Sequence, residues 1–301
     1  MSSAPAPDYT FSREVTQAAR EAMALLRSLE PVFVASGRLA RDLQGRVEAE
    51  KKADSGDYRL DVVTEADRAV QAQMLSALVE TPLVGCRLLA EETPAEGQVD
   101  LRGRFATTSG LYLTLDPIDG TSRFVGGQPY FSTIVGLHDG RRPLYTFMYY
   151  PAFDWWVRVC DLDLEMSGPA PVDPAAGGKP SLTRTLVYTV GAPDRAVPAV
   201  TAWLRERGAD LCFGESYDPS GSKYLYLSGH AGGYFACGPN PYDGLFALHL
   251  AMARGSIVLA EGAAPGAPID FTALESSARG LYHPGWYAVV PTGLCGGGVP
   301  D

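Results

Sequence analysis

The sequence predicts a two-lobed α/β protein, and three features of its 301 residues support this fold class. Stretches with apolar residues at helical spacing alternate along the chain with short β-rich segments. A segment rich in Pro and Gly at 167–181 separates two such series and predicts a linker. The chain length is typical of one or two domains. We therefore expect an N-terminal lobe at 10–175 and a C-terminal lobe at 176–301, after a disordered tail at 1–9.

The predicted helices of the N-terminal half are defined by apolar periodicity. Apolar residues recur at near-helical spacing over 12–29 and again over 34–47, which predicts two helices. A third helix is expected after a short strand at 62–63. Thr64 is its predicted N-cap, and Asp67 supplies an acidic version of the capping-box spacing three residues later.

Strands are predicted from short segments rich in apolar, β-branched and aromatic residues. Alternation on both sides of Asp139-Gly140 predicts an antiparallel hairpin. The expected strands are 84–92, 111–115, two within 130–150, 155–159, 185–190 and 256–260. In the C-terminal half, helices are expected at 197–208 and 242–255, and 223–236 reads as a helix or apolar segment followed by a strand.

The composition is that of a globular protein with an acidic balance. Hydrophobic residues make up 46% of the chain and charged residues 20%, and the formal net charge is −10. The excess carboxylates either form a solvated acidic surface or gather to hold cations, and net charge does not separate these interpretations. A chain this acidic is poorly suited to a nucleic-acid polymer, which requires many contacts from Lys and Arg.

Targeting and cysteine signals predict a cytoplasmic protein. The N-terminus lacks the basic and apolar regions of a signal peptide, and no apolar run is long enough to span a membrane. The five cysteines are odd in number and include no CxxC pair, which argues against a disulfide framework or a structural zinc site. We expect reduced thiols and no membrane partner.

The segment DPIDGT, from Asp116 to Thr121, offers cation ligands and phosphate donors close together. An apolar strand leads into Asp116, and a tight turn after it can place Asp119 on the same side. Gly120 permits close approach of the backbone to a ligand, and free N–H groups at a helix start form an anion site. Mg²⁺ prefers oxygen ligands of this kind. Taken alone, the segment also fits a plain strand-to-helix connection.

Other acidic positions have ordinary interpretations when each is taken alone. Glu91 and Glu92 end a predicted strand and fit two solvent-facing carboxylates. Asp243 follows Tyr242 at the start of a predicted helix and fits a helix N-cap. Asp67 fits an acidic residue in the first turn of a helix. Their order along the chain relative to DPIDGT favours a joint interpretation of these acidic residues over the separate structural ones.

Taken together, these segments resemble the inositol monophosphatase-like superfamily of Mg²⁺-dependent phosphatases. The resemblance covers roughly residues 12–275. The segments on which it rests are, in order, Val63-Thr64 with Asp67, Glu91-Glu92, DPIDGT at 116–121 and Tyr242-Asp243. It implies a layered αβαβα sandwich of the inositol monophosphatase/fructose-1,6-bisphosphatase type. An α+β N-terminal lobe and an α/β C-terminal lobe with a mainly parallel sheet would enclose the site.

The resemblance also implies two or three Mg²⁺ ions per site and assigns their ligands. One ion would be held by Glu91, Asp116 and the backbone carbonyl of Ile118. A second ion would be held by Asp116, Asp119 and Asp243, and a third, weaker ion by Glu91 and water. Two neighbouring metal ions can clamp the attacking and leaving oxygens of an in-line displacement.

Catalytic and phosphate-binding roles follow from the same resemblance. Asp67 and Thr121 would orient and deprotonate a water molecule, with Glu92 in a supporting role. The backbone amides of Gly120 and Thr121 would hold the phosphate oxygens. Such a mechanism requires no covalent phosphoenzyme and rests on positioning and charge stabilisation.

The expected substrate contacts differ from those of the inositol monophosphatases themselves. The acidic residue that they have seven positions before the last metal-binding Asp is replaced by Ala236, which cannot accept a hydrogen bond from an inositol hydroxyl. Ser220 and Lys223 resemble a phosphate-contacting segment of the 3′-phosphonucleotide phosphatases, and Lys52-Ala-Asp54 resembles another of their segments. Lys223 also fits an exposed helix lysine.

Ser122 and Arg123 follow the phosphate loop and complete the predicted substrate contacts. Arg123 either reaches a second anionic group of the substrate or covers the helix face. The sequence thus predicts a metal-dependent phosphoric monoester hydrolase for a small phosphorylated sugar, cyclitol or nucleotide other than myo-inositol phosphate. The family resemblance also implies a homodimer. The alternatives are a 3′(2′),5′-bisphosphate nucleotidase and a non-catalytic protein that binds metal and sugar phosphate.

Overall fold

The computed structural model describes residues 15–51, 62–171, 182–188, 196–213, 221–260, 275–277, 280–282 and 285–290. The predicted tail at 1–9 and most of the predicted linker lie outside these ranges. Two large sheets, with helices between and around them, account for most of the described chain.

The helices and strands are numbered in chain order within the described ranges. The helices are α1 (Gln17–Leu43), α2 (Glu65–Leu78), α3 (Thr121–Val125), α4 (Ala196–Arg205), α5 (Gly221–Leu227) and α6 (Leu245–Ala253). The strands are β1 (Ala49–Lys51), β2 (Val62–Thr64), β3 (Arg87–Ala90), β4 (Tyr112–Asp119), β5 (Ser132–His138), β6 (Pro143–Tyr150), β7 (Trp155–Cys160), β8 (Asp163–Met166), β9 (Leu182–Tyr188), β10 (Asp210–Phe213), β11 (Ala231–Cys237), β12 (Ile257–Ala260), β13 (Glu275–Ser277), β14 (Gly280–Tyr282) and β15 (Trp286–Val290). None of these helices is long and apolar enough to cross a membrane.

The first large sheet has the strand order β3-β4-β5-β6-β7-β8. β3 and β4 are parallel, and the other neighbouring pairs are antiparallel. The predicted hairpin is confirmed as β5–β6, with Gly140 at a φ of +86° in its turn. The Asp139 carboxylate accepts the backbone N–H groups of Arg141 and Arg142 and fixes this turn. The parallel pair brings the ends of β3 and β4 to one edge of the sheet.

α1 is one continuous helix, so the prediction of two separate helices is wrong. The Thr16 side chain caps its start by accepting a backbone N–H of the first turn. Pro31 lies inside the helix and costs about 3 kcal/mol or more in lost hydrogen bonding and strain. Buried side chains on both sides of it, such as Leu26, Phe33 and Ala40, belong to the core with α2 and the first sheet. This continuous burial offsets the cost of the proline.

The second large sheet has the strand order β10-β9-β11-β15-β12. β10, β9 and β11 are parallel, whereas β15 is antiparallel to both of its neighbours. β12 therefore runs in the same direction as β10, β9 and β11, and the expected mainly parallel sheet is confirmed, with β15 as the one strand of this sheet that runs against the others. The sequence analysis predicted no strand after residue 260, so the antiparallel β15 was not foreseen.

The helices and sheets stack in five layers. α1 and α2 share a core with one face of the first sheet. α5 and α6 lie between the two sheets, and every residue from Leu245 to Met252 is buried there. On the far side of the second sheet, Trp203 and Leu204 of α4 pack in a core with Phe235. The predicted αβαβα sandwich is thereby confirmed.

Candidate active site

Asp116 and Asp119 lie at the end of β4, where a β-bulge changes the strand register. Asp116 pairs with Ile134 of β5 and Asp119 pairs with Ser132, so three steps along β4 match two along β5. In a regular strand, side chains three residues apart point to opposite faces, but one extra residue reverses the alternation. A bulge, rather than the predicted tight turn, therefore places both carboxylates in one site.

Two buried hydroxyl groups of β5 hold the bulge. Thr133 Oγ1 donates to the Pro117 carbonyl at 2.9 Å, and Ser132 Oγ donates to Asp119 Oδ2 at 3.1 Å. Sequence reasoning missed both residues, because 132–133 read only as part of a hairpin strand. Their role depends on the cross-strand register, which spacing along the chain does not give.

Glu91 and Glu92 follow β3 directly, beside the end of β4. Glu91 N donates to the Leu115 carbonyl at 3.1 Å, which places Glu91 next to Asp116. Gln71 of α2 holds the backbone of Glu92, donating to its carbonyl at 2.7 Å and accepting its N–H at 3.0 Å. Glu92 is buried, so its interpretation as a solvent-facing acid is wrong. Gln71 gave no sequence signal beyond its place in a helix.

Asp67 and Thr121 form a hydrogen-bonded pair. The predicted capping box is confirmed: Thr64 caps α2, and Asp67 Oδ2 accepts the Thr64 N–H at 2.8 Å. Asp67 Oδ1 accepts the Thr121 hydroxyl at 3.2 Å, and the Ile118 carbonyl oxygen lies 3.0 Å from the same hydroxyl. Burial raises the pKa of Asp67 to about 6, although the hydrogen bonds from Thr64 and Thr121 oppose the shift.

Gly120 connects β4 to α3 with a φ of +85°, in the left-handed region that favours glycine. A Cβ at this position would lie 3.4 Å from the Tyr130 carbonyl oxygen and 3.5 Å from the Arg123 guanidinium. α3 begins at Thr121, so the backbone N–H groups of Gly120 and Thr121 lie at a helix start, as the sequence predicted.

Asp243 brings a carboxylate from the C-terminal half of the chain. It lies in the turn before α6, but Gly244 occupies the N-cap position, and that helix has no side-chain cap. The interpretation of Asp243 as an N-cap is therefore wrong. Carboxylate oxygens of Asp116, Asp119 and Asp243 all lie within 4.8 Å of one another. Glu91 is outside this group, but its charge raises the pKa of Asp116 and of Asp243.

The carboxylate group fits a divalent cation. Burial raises the pKa of Asp116 well above its usual range, and the charges of Glu91, Asp119 and Asp243 raise it further. Among the residues that the structure describes, none donates a hydrogen bond to the buried Oδ1 atom of Asp116. A buried carboxylate oxygen without a donor, surrounded by other carboxylates, suits a hard cation with oxygen ligands.

Lys223 of α5 contacts the same group. Its Nζ donates to Asp119 Oδ1 and, at 2.6 Å, to Asp243 Oδ2. The residue is 9% exposed, so its interpretation as an exposed helix lysine is wrong. Burial alone would lower the pKa of Lys223, but the charges of Asp119 and Asp243 outweigh it and hold that pKa well above its usual value. The predicted contact of Lys223 with a substrate phosphate stays a prediction.

Some of the remaining predicted substrate contacts lie next to the phosphate loop, and others lie outside the residues that the structure describes. Ser122 and Arg123 are half-buried on α3, with the Arg123 guanidinium beside the loop. Ala236 is buried on β11. Ser220 and the segment 52–54 lie outside the described residues.

Known proteins share sequence with part of the chain. The model of the inositol monophosphatase family matches residues 14–171. Inositol monophosphatase 2 of Solanum lycopersicum is 30% identical over 95 residues, which are 32% of this chain and 34% of that protein. Fructose-1,6-bisphosphatase/inositol-1-monophosphatase of Aquifex aeolicus is 26% identical over 121 residues, 40% of this chain and 41% of that protein. The matches thus span less than half the length of these curated relatives.

Solved structures share the fold over most of the chain. The inositol monophosphatase of Thermotoga maritima superposes with a TM-score of 0.58 at 19% identity, covering 90% of this chain and 92% of that chain. An inositol monophosphatase/NADP phosphatase, solved with Mg²⁺ and phosphate, superposes with a TM-score of 0.57 at 16% identity, covering 95% and 99%. At such identities the likeness shows a common fold.

The family match covers more than half of the 301 residues and includes both residues of the hydrogen-bonded pair Asp67 and Thr121. It also includes the β3–β4 edge from which Glu91, Asp116 and Asp119 extend. The chain therefore belongs to the inositol monophosphatase family, whose members are metal-dependent phosphoric monoester hydrolases.

Proposed function

We propose that this protein hydrolyses the phosphate monoester of a small sugar, cyclitol or nucleotide in the presence of Mg²⁺. The main support is the convergence of Asp116, Asp119 and Asp243 within 4.8 Å, next to the hydrogen-bonded pair of Asp67 and Thr121. These residues come from three separate parts of the fold, and a structural role alone does not explain a gathering of like charges around the buried Asp116.

The Mg²⁺ ions would be held by Asp116, whose buried Oδ1 atom has no hydrogen-bond donor among the described residues, together with the oxygen ligands around it. One ion would use Glu91, Asp116 and the Ile118 carbonyl, and a second would use Asp116, Asp119 and Asp243, with a third, weaker ion at Glu91. Bound Mg²⁺ would lower the pKa of a water molecule and neutralise charge on the phosphate. The Mg²⁺ and phosphate solved with a protein of this fold agree with this choice of ion.

Asp67 and Thr121 would orient the attacking water and remove its proton. With a pKa of about 6, the Asp67 carboxyl is ionised at neutral pH and accepts a proton, yet it releases that proton readily. The water oxygen forms a bond to phosphorus while the ester P–O bond breaks. The leaving oxygen keeps the electron pair and takes up a proton, which yields an alcohol and inorganic phosphate. Glu92 would support this pair from its buried position.

The phosphate would bind at the start of α3. The backbone N–H groups of Gly120 and Thr121 would donate to its oxygens, and the left-handed conformation of Gly120 leaves room for close approach. Ser122 and Arg123, one and two residues later, would contact the rest of the substrate. The Arg123 guanidinium lies beside the loop, where it would meet a second anionic group.

The substrate alternatives differ in what they require of these residues. Ala236 offers no acceptor for an inositol hydroxyl, which favours a phosphate other than myo-inositol phosphate. The position of Arg123 favours the second candidate, a 3′(2′),5′-bisphosphate nucleotidase. A non-catalytic binding protein would need the carboxylates but not the hydrogen bond between Thr121 and Asp67, so we rank it last.

The proposal extends to organisation and location. By family resemblance we expect a cytoplasmic homodimer with lobes at 10–175 and 176–301. Light scattering of the purified chain would then give twice the mass of one chain. A mass equal to that of one chain would contradict the dimer and leave the proposed activity unaffected.

A substrate panel tests the proposed function directly. Phosphate release is measured with Mg²⁺ and with a chelator for inositol phosphates, hexose and pentose phosphates, and adenosine 3′,5′-bisphosphate. Asp67→Asn serves as a control that keeps the volume but removes the base. In addition, Arg123→Ala should raise KM for a bisphosphate and leave that of a monophosphate nearly unchanged. Intact Mg²⁺ binding with no release from any substrate would favour the binding protein.

A further inference from the structure

Lys223 places a positive charge where the proposed function requires a metal ion. Its Nζ contacts Asp119 Oδ1 and Asp243 Oδ2. These residues are two of the three whose carboxylate oxygens lie within 4.8 Å of one another. The ammonium thus already offsets one of the two negative charges of the carboxylate pair that is assigned to the second ion.

Contacts with neighbouring elements hold the Lys223 ammonium in this position. Its side chain is 10% exposed, and Nζ lies 5.7 Å from the centre of the Phe246 ring on α6. Ser222, the preceding residue, donates its hydroxyl to the Tyr188 carbonyl. Tyr224, the following residue, packs against the rings of Tyr150 and Trp155 in the first sheet. α5 is therefore anchored on both sides of Lys223, and the contact with the carboxylates is built into its placement.

We propose that Lys223 is an internal cation that occupies the Asp119–Asp243 position in the metal-free protein and competes with a divalent cation for it. This inference rests on the proposed metal-dependent function. A Mg²⁺ ion on the same two oxygens would lie within about 5 Å of Nζ, given an Mg–O distance of about 2.1 Å and an N–O distance of about 2.8 Å. Like charges this close repel strongly in a buried site, so the ammonium must leave when the ion binds.

Two consequences follow for the second metal position. Its affinity for Mg²⁺ is lower than the carboxylates alone would give, because part of the binding free energy is spent on displacing Lys223. The metal-free protein, in turn, needs Lys223 to balance Asp119 and Asp243. Lys223 is a positioning residue in this scheme, since it acts through the two carboxylates.

A variant with an uncharged side chain at position 223 tests the effect of Lys223 on Mg²⁺ affinity separately from its effect on the stability of the metal-free protein. MgCl₂ is titrated into metal-free full-length wild type and Lys223→Met, with calorimetry for affinity and thermal unfolding for stability. We expect the variant to bind Mg²⁺ at this position about 5- to 150-fold more tightly, the usual range for coupling between two binding events. We also expect a lower Tm without metal and a larger rise in Tm with MgCl₂ than in wild type.

Arg142→Met is the matched control for loss of a buried cation. Arg142 is 8% exposed and pairs with Asp139 at the turn of the β5–β6 hairpin. This turn is at the opposite end of β5 from Ser132, which contacts Asp119. Asp139 also keeps its two backbone donors, so the hairpin should fold. The affinity of this control for Mg²⁺ should equal that of wild type.

A measurement on wild type covers the case in which Lys223→Met fails to fold. A carbodiimide converts a contacting ammonium and carboxylate into an amide, and mass spectrometry then detects the joined peptides. The sequence has only four lysines, Lys51, Lys52, Lys179 and Lys223, which makes the assignment simple. Without metal, we expect a cross-link from Lys223 to Asp119 or Asp243. Saturating MgCl₂ should suppress it, whereas NaCl at equal ionic strength should not.

The outcomes distinguish this inference from the proposed function. Tighter Mg²⁺ binding in Lys223→Met supports the competition, whereas loss of the cross-link with MgCl₂ shows that the ion occupies these carboxylates. Equal affinities in wild type and variant, or a cross-link that persists at saturating MgCl₂, overturn it and leave the metal site intact. Absence of Mg²⁺ binding in both proteins would overturn the proposed function together with the inference.

Discussion

The two sides of the candidate site are held by different kinds of interaction. On the N-terminal side, hydrogen bonds fix the carboxylates: Thr121 and Thr64 donate to Asp67, and Ser132 donates to Asp119. On the C-terminal side, Asp243 is held by an ion pair with Lys223. Hydrogen bonds within the fold therefore organise the first side, where Lys223 adds a contact to Asp119, whereas the second side depends on this balancing cation.

This difference separates the effects expected of substitutions on the two sides. A change on the N-terminal side should alter catalysis in a protein whose metal-free structure is largely preserved. A change on the C-terminal side should alter the coupling between cations and stability, because removing one partner of a buried ion pair leaves the other uncompensated. Activity and metal-dependent stability are thus separate readouts of the comparison.

The largest expected effect is that of Asp116→Asn, which removes the carboxylate shared by both proposed ions. We expect phosphate release to fall by at least about 10³-fold, since the variant loses a ligand and the charge that holds the cations. The metal-free variant should be at least as stable as wild type, because a buried charge repelled by Glu91, Asp119 and Asp243 is gone. Kinetics and thermal unfolding with and without MgCl₂ measure both effects. Undiminished activity would exclude Asp116 as a ligand.

Thr121→Val should have the next largest effect, and it should be confined to catalysis. The substitution keeps the side-chain shape but removes the hydroxyl that contacts Asp67 Oδ1 and the Ile118 carbonyl. We expect kcat to fall by about 10²-fold, the lower end of the range for acid–base groups, with Mg²⁺ affinity nearly unchanged. Thr121→Ser is the matched control, because it retains the hydroxyl. A loss of Mg²⁺ affinity as large as the loss of kcat would contradict the separation of roles.

Local features of the site were predictable from the sequence, whereas long-range features were not. The Thr64 capping box and the Asp139-Gly140 turn depend on residues a few positions apart, and both are confirmed. The β-bulge after Asp116 depends on pairing with β5, and the contact of Lys223 depends on the packing of α5. Spacing along the chain reports neither. The continuous helix through Pro31 was likewise decided by tertiary packing, which overrode a local signal.

The ion pairs of Lys223 with Asp119 and Asp243 are a charged link between the start of α6 and the first sheet. His249 of α6 provides a second link that is uncharged, and this link makes the stability of the protein depend on pH. Its Nε2–H donates to the Asp161 carbonyl, and its Nδ1 accepts the Thr146 hydroxyl at 2.9 Å. Burial lowers the pKa of His249 to about 4, against a hydrogen bond to Asp161 that opposes the shift. The unfolded chain takes up a proton near pH 6.5 and the folded protein only near pH 4, so stability is lost as pH falls between these values.

The expected loss from His249 is about 2 kcal/mol between pH 7 and pH 5, since each pH unit in this window costs about 1.4 kcal/mol. Urea unfolding of wild type and His249→Gln at both pH values measures it as a difference, which cancels the titration of the carboxylates. The variant should be less stable at pH 7 and lose less on acidification. His230→Gln, at an exposed position, should behave as wild type. The same pH slope in wild type and His249→Gln would contradict the assignment.

Ser132→Ala should have the smallest effect. It removes one hydrogen bond to Asp119 Oδ2, while the contact of Lys223 with the other oxygen remains. The loss should be about 1 kcal/mol, which corresponds to a roughly fivefold change in Mg²⁺ affinity or kcat. Calorimetric titration with MgCl₂ detects such a change. An effect as large as that of Asp116→Asn would show that Ser132 does more than orient Asp119.

The most direct test of the central claim is phosphate release by wild type and Asp243→Asn as a function of MgCl₂, starting from metal-free protein. We predict no release without the ion, saturating release by wild type, and a curve for Asp243→Asn that is shifted to higher MgCl₂ and reaches a much lower plateau. Release by wild type that is independent of MgCl₂, or identical curves for the two proteins, would contradict the claim that these carboxylates form one metal-dependent phosphatase site.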